Sequence, residues 1–164
     1  AVYYVYGYEG SNLDQAIQQP NYDTYGVLYN WVAALGSCPD GWHLPTDQEW
    51  KTLETYLGMS QPEANAQGFR YTGNVGAKLR ETGGSHWNGD NSSATNVSGF
   101  TALPGGQREE HGGYLHLGNL ANFWQSDEYS QTSAWHRYFN SDNGIARNAD
   151  NKSYGLYVRC LKDQ

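Results

Sequence analysis

The side chains that could do acid–base or metal chemistry are few and scattered. There are five histidines, His43, His86, His111, His116 and His136. Only His111 and His116, following Glu109 and Glu110, lie close enough in sequence to suggest a shared zinc ion, and their spacing in a Gly-rich turn matches structural zinc sites poorly. Asn88, Asp90 and Asn91 offer the oxygen atoms that calcium takes, without the terminal Glu of an EF-hand loop; an Asx-turn explains them better. A structural calcium ion here stays open, and no other metal or cofactor is expected. Asp127 and Glu128 adjoin Trp124 as an acid pair beside a sugar-stacking ring would, but neighbours in a strand point to opposite faces. Neither Gly-x-Ser-x-Gly nor Gly-x-x-x-x-Gly-Lys occurs, which removes the nucleophile elbow and the phosphate loop. No catalytic residue is expected, and the chain reads as a non-enzyme.

Binding remains, and composition bears on it. Aromatic residues make up 15% of the chain, with 6 Trp and 14 Tyr, while only 16% is charged. The surface must then be rich in Tyr, Asn, Ser and Gly, the palette of recognition surfaces and equally of ordinary β-rich extracellular domains. A net charge of −7 with no Lys/Arg cluster argues against nucleic acid and against anionic membranes. No apolar run approaches the ~18 residues of a bilayer span, so no membrane insertion is expected. Ala1 to Tyr8 lacks the pattern of a secretion signal, which would lie outside this chain.

The elements that must position such a surface fit one α+β domain over residues 1–164, a length sufficient to bury roughly 68–70% of the unfolded surface. Tyr25 to Trp31 alternates as a core strand. A helix starts at Thr46, where Pro45 precedes, Glu49 completes a capping box, and Trp50, Leu53 and Leu57 follow at helical spacing before Gly58. A second, shorter helix lies near Gly76 to Glu81 and stops at Gly83-Gly84. Residues 83–113 read as long ordered loop. Phe123 to Ser126, Ala134 to Asn140 and Tyr154 to Leu161 read as strands of a small β-meander. Cys38 and Cys160 are predicted to be joined, with two buried free thiols as the alternative; a bridge would stabilise by roughly 4–5 kcal/mol in the chain-entropy model and implies an oxidising compartment.

A set of ordered blocks then carries a family resemblance: Tyr25-Gly-Val-Leu-Tyr-Asn-Trp31, Cys38-Pro-Asp-Gly-Trp-His-Leu-Pro-Thr46, Glu49-Trp50, Lys78-Leu-Arg-Glu-Thr-Gly-Gly84, His86-Trp-Asn88, Ala94-Thr-Asn96, Ser98-Gly-Phe-Thr-Ala-Leu-Pro-Gly-Gly106, Phe123-Trp-Gln-Ser126 and Val158-Arg-Cys160. They resemble the Fibrobacter succinogenes major paralogous domain from about Tyr25 to the C-terminus. The resemblance implies a C-type lectin-like fold of the formylglycine-generating-enzyme type, with two main helices, small antiparallel sheets and long ordered loops, and it supports the Cys38–Cys160 bridge. Formylglycine generation needs a pair of late copper-binding cysteines, and Cys160 is the only late one, so that activity does not carry over. Trp87-Asn88-Gly89-Asp90 stands without the Glu-Pro-Asn or Gln-Pro-Asp motif of calcium-dependent lectins.

Domains of this kind also serve, by resemblance, as variable proteins of diversity-generating retroelements, in which positions of the last third change on a fixed scaffold. Here Trp135, Arg137 and Phe139 alternate with His136, Tyr138 and Asn140, so the first set can face the core and the second solvent. Ser130, Thr132, Asp142, Asn143, Ile145, Arg147, Asn148 and Asp150 are expected in turns, with Ile145 exposed beside Tyr138. Together with the solvent set they form the expected ligand-binding patch, for a protein or glycan on another surface. Extracellular or bacterial cell-surface location follows. The competing reading is a fixed cell-surface structural module of a gut-type bacterium that contacts carbohydrate through Trp87 or Trp124.

Overall fold

The computed structural model describes residues 2–164. Along the chain run β1 (Tyr3–Tyr4), α1 (Leu13–Ala16), α2 (Pro20–Tyr25), β2 (Leu28–Tyr29), α3 (Trp31–Ala34), β3 (Trp42–His43), α4 (Asp47–Tyr56), α5 (Gln61–Asn65), β4 (Gly68–Arg70) and α6 (Val75–Leu79). After a long loop come β5 (Gln107–Arg108), β6 (Tyr114–Leu115), β7 (Ala121–Glu128), β8 (Ser133–Phe139), β9 (Ile145–Asn151) and β10 (Leu161–Lys162). Among the described residues the class is α+β, with six short α-helices rather than two main helices and with small antiparallel sheets.

The frame is a four-stranded antiparallel sheet in the order β4-β9-β8-β7. Its last three strands form the expected meander, but the third is Ile145–Asn151. Tyr154 to Leu161 supplies only isolated bridges, among them Tyr29 with Leu156 and Phe123 with Tyr157, before β10. The expected strand at Tyr25 to Trp31 is also shortened. Gly26, at φ +78°, ends α2, and the Asn30 side chain accepts from the Ala33 amide to start α3, leaving two strand residues between the caps.

Helix α4 forms as its sequence signals dictate. The Thr46 side chain accepts from the Glu49 amide and Glu49 bonds back to the Thr46 amide. Asp127 Oδ2 accepts from the Asp47 amide at 2.6 Å, setting a carboxylate at the positive end of the helix. Spacing of i, i+4 and i+7 puts Asp47, Lys51 and Glu54 on one face. That face lies against the sheet and meets three arginines. Buried Glu54 takes Arg70 in a bidentate pair, both contacts 2.8 Å, and receives Arg137 Nε at 2.6 Å. Asp47 takes Arg147 through Nε and Nη2, each at 2.8 Å, lies 3.0 Å from Arg137 Nη2, and pairs with Lys51. Burial alone would raise the Asp47 carboxyl; hydrogen bonds from Arg147 and Lys51 and the charges of Arg137 and Arg147 overcome it and hold it well below the usual carboxylate range.

Two apolar clusters flank this network, one around Leu28, Trp50, Val75, Leu79 and Phe139, the other around Trp31, Leu44, Trp124 and Leu156. Cys38 and Cys160 form a disulfide, closing a loop of sequence separation 122, and β10 pairs with β3 so that Leu161 faces His43. No helix among the described residues is long and apolar enough to cross a membrane.

Candidate binding face

The register of β8 and β9 decides what each face of the sheet carries. Arg137 stands opposite Arg147, His136 opposite Asn148 and Ala134 opposite Asp150. Because successive side chains alternate, Arg137 and Arg147 point to α4, while His136, Tyr138, Asn148 and Asp150 share the other face. Asn122 of β7, paired with Tyr138, joins them. With Gln107 and Leu120 these residues line an open cleft of about 220 Å³.

At the cleft floor His136 is 2% exposed. Asn122 Nδ2 donates to Gln107 Oε1 at 3.0 Å, which leaves Asn122 Oδ1 as an acceptor 2.7 Å from His136 Nδ1. The Nδ1 nitrogen therefore carries the proton in this assignment. Nε2 keeps a bare lone pair and has no hydrogen-bond partner among the described residues, although Asp150 Oδ2 is 3.3 Å away. Burial, reinforced by the Arg137 charge, pushes the imidazole down to about 3, so it is neutral. Burial also raises the Asp150 carboxyl above its ordinary value. Tyr138, its ring stacked on His136 at 5.6 Å, is raised by burial and then by the Asp150 charge. The cleft thus presents acceptors, a phenol and a carboxamide around a neutral ring, and one uncompensated acid.

The remaining expected site residues distribute differently. Ser130 and Thr132 are exposed in the β7–β8 turn, where Ser130 Oγ accepts from the Thr132 and Ser133 amides. Asn140, Asp142 and Asn143 form the β8–β9 turn, which buried Arg80 anchors by donating from Nη1 to the carbonyls of Asn140 and Asp142. Ile145, Arg147, Asn148 and Asp150 lie in β9, not in turns. Ile145 is buried rather than exposed, because its side chain lies in the first apolar cluster while its backbone pairs with Arg70 of β4. Arg147 faces the same way, engaged by Asp47 and lying 3.7 Å over the Trp135 ring. His136 is buried too: Gln107 and Asn122 cover what alternation alone would leave to solvent. Trp135, expected inside, is partly exposed and edge-on to Tyr129 at 4.8 Å. Gln107, Leu120 and Asn122 escaped the sequence reading; a lone Asn between apolar neighbours in a strand was the available signal for Asn122.

The other candidates separate. Trp87 and Trp124 are 3% and 0% exposed, so neither offers a ring to a sugar. Asp127 caps α4 while Glu128 pairs with Lys152. Asp90 makes the Asx-turn to Ser92, and Asn91 spends its side chain on Arg80, Glu81 and Gly83. Among the described residues no group of three or more His, Cys, Asp or Glu side chains is placed to hold a metal ion.

A family model described as the Fibrobacter succinogenes major domain matches residues 4–162. Searches of curated proteins and of solved structures return no match.

Proposed function

The chain belongs to the Fibrobacter succinogenes major domain family, and on that premise we propose that it is a non-enzymatic ligand-binding domain whose binding face is the outer side of β8 and β9. The observation that carries this reading is the buried, unpartnered Nε2 of His136 within a polar cleft. Buried polar groups are nearly always satisfied, and an exception at the floor of a cleft suits a group waiting for a ligand. We read the fold as C-type lectin-like, of the formylglycine-generating-enzyme type. The long loop before β5 and the bridge from an early segment to the end of the chain support that reading.

The ligand in this reading is a protein or glycan on another surface, and the domain works outside the cell or at a bacterial surface, with which its disulfide is compatible. The binding positions are those that retain exposed surface: Tyr138, Asn148 and Asp150 in the cleft, with Asn140 and Asp142 in the β8–β9 turn and Ser130 and Thr132 in the β7–β8 turn. These are the positions at which a diversity-generating system could act without disturbing the ion network. The test is to screen the purified domain on glycan and surface-protein arrays, then to measure the best partner against Tyr138→Ala with Asn148→Ala and, as control, Tyr56→Ala, which is 86% exposed on α4. Loss of at least tenfold in the first variant alone is expected. A partner indifferent to the cleft variant would overturn the assignment.

A further inference from the structure

We propose that the His136–Asp150 corner of the cleft receives a primary ammonium group on an alkyl chain, and that Asp150 swings aside to admit it. The proposal deepens the binding-face reading and rests on it.

The corner has a mismatch that the protein does not resolve by itself. His136 Nδ1 is committed to Asn122 Oδ1, so Nε2 is an acceptor, and it faces a carboxylate oxygen at 3.3 Å. Two acceptors at that separation repel. Protonating His136 would bring a cation into a site from which burial excludes it, with Arg137 adjoining in the chain. A proton on Asp150 Oδ2 would have to stay on a carboxyl whose side chain is 34% exposed to water, which favours the charged form. A donor from outside satisfies both groups without either change.

Charge selects the kind of donor. Water or an alcohol can donate here but leaves the Asp150 charge uncompensated. The titratable groups facing this corner are His136 and Tyr138 from β8, Asp150 from β9, and Tyr154 from the segment beyond, whose phenol feels Asp150. No Lys or Arg lines the cleft. Arg137 and Arg147 lie across the sheet, engaged by Glu54 and Asp47, and Lys152 is engaged by Glu128. An ammonium brings the missing positive charge with three donors, enough for Nε2, the Asp150 carboxylate and the Tyr138 hydroxyl. The Asp150 side chain is 34% exposed and is the movable cover of the corner. Tyr138 and Leu120 supply apolar surface along which the alkyl stem can lie. A net charge of −7 favours a cation at longer range.

The experiment is a titration of the whole domain, labelled with nitrogen-15 in its histidines, at neutral pH. The His136 Nε2 resonance is followed on adding n-butylammonium, with 1-butanol as a donor without charge and tetramethylammonium as a charge without donor. A saturable shift with a dissociation constant on the order of millimolar, fitting so small a ligand, is expected for n-butylammonium alone. Asp150→Asn should weaken it at least tenfold while leaving the other histidine resonances in place, which shows that the variant is folded. Nα-acetyl-lysine amide in a second arm tells a lysine side chain from a free amine: tighter binding of the lysine points to a protein partner, equal binding to the amine head alone. Butanol binding as tightly, an equal response to tetramethylammonium, or no saturable response would overturn the ammonium assignment. None of these would touch the binding-face reading, which stands or falls on the array partner and the Tyr138 and Asn148 variant.

Discussion

Arg137 and Arg147 stand directly opposite each other across the β8–β9 ladder, and Asp47 of α4 reaches both. Like charges in such a pair destabilise a sheet; here a carboxylate from another element turns the repulsion into the clamp that fixes the sheet on the helix. Removing that carboxylate leaves two guanidinium groups with a lost partner in a poorly hydrated space. Asp47→Ala should lower stability by about 3 kcal/mol, the scale of breaking a buried pair from one side. Urea unfolding of the variant, with folding confirmed by circular dichroism, measures it. A change below about 1 kcal/mol would mean that water, with Glu54 still holding Arg137, replaces what Asp47 supplies.

The local parts of this arrangement could be read from the sequence, and the distant parts could not. The start of α4 was legible because Thr46 and Glu49 cap each other within one turn. The Gly76 helix was legible from its run of helix formers rather than from a cap, and it ends at Arg80, where the backbone becomes extended. Placing Arg137 inside was correct, but its reason, Glu54, lies 83 residues away. Ile145 was misplaced because a short apolar segment after Asn143-Gly144 looks like a turn until Arg70 pairs with it. His136 was misplaced because strand alternation predicts which face a residue shares, not whether another segment covers that face.

The buried histidine makes stability depend on pH, and the sign follows from proton counting. His136 titrates near 3 when folded and near 6.5 when unfolded. Between those values the unfolded chain binds the extra proton, so stability falls as pH drops from about 6.5 toward 3, by up to roughly 1.4 kcal/mol per unit. Asp47, with its depressed carboxyl, adds to the loss below about pH 4, its unfolded value. Asp150 acts the other way, because its raised carboxyl is relieved on protonation. Urea unfolding at pH 7, 6 and 5 should show the decline, and His136→Gln should flatten it. A wild-type slope unchanged in that variant would move the effect to another group.

The disulfide closes a loop with a sequence separation of 122 in a chain of 164 residues. Cys38→Ser with Cys160→Ser should cost roughly 4–5 kcal/mol if the separation of 122 residues acts through chain entropy. The effect should fall first on β3 and β10, which are two residues each and hold together only Trp42–His43 with Leu161–Lys162. Hydrogen exchange should therefore show loss of protection there before any at β8. Equal loss in both places would mean that the bridge supports the domain as a unit.

Gly76 joins α6 to the β8–β9 turn, at the end of the proposed binding face. A methyl group built on it would lie 2.1 Å from the Gly144 carbonyl oxygen and 2.9 Å from that of Asn143, both backbone atoms that cannot turn away. The Gly76 amide also donates to the Asn143 carbonyl. Gly76→Ala should thus push the β8–β9 turn outward and cost about 1–3 kcal/mol, while also weakening the array partner if Asn140 and Asp142 touch it. Differential scanning calorimetry measures the first effect and the array partner the second. Lost stability with unchanged binding would remove Asn140 and Asp142 from the binding face.

Sequencing this locus across a population of its source organism separates a diversified binding protein from a fixed one. Substitution is tolerated where a side chain neither fills the core nor holds an ion pair, so variation should concentrate at Ser130, Thr132, Tyr138, Asn140, Asp142, Asn148 and Asp150. Arg137, Phe139 and Ile145 are 0% exposed, and Arg147 is tied to Asp47, so these four should stay constant. His136 is the discriminating position: buried beneath the cleft, it stays constant if its lone pair is part of every binding site, and varies if the cleft floor is remade for each ligand. A uniform locus would sink the diversification proposal and leave a domain with one ligand, for which the cleft chemistry would be the whole specificity.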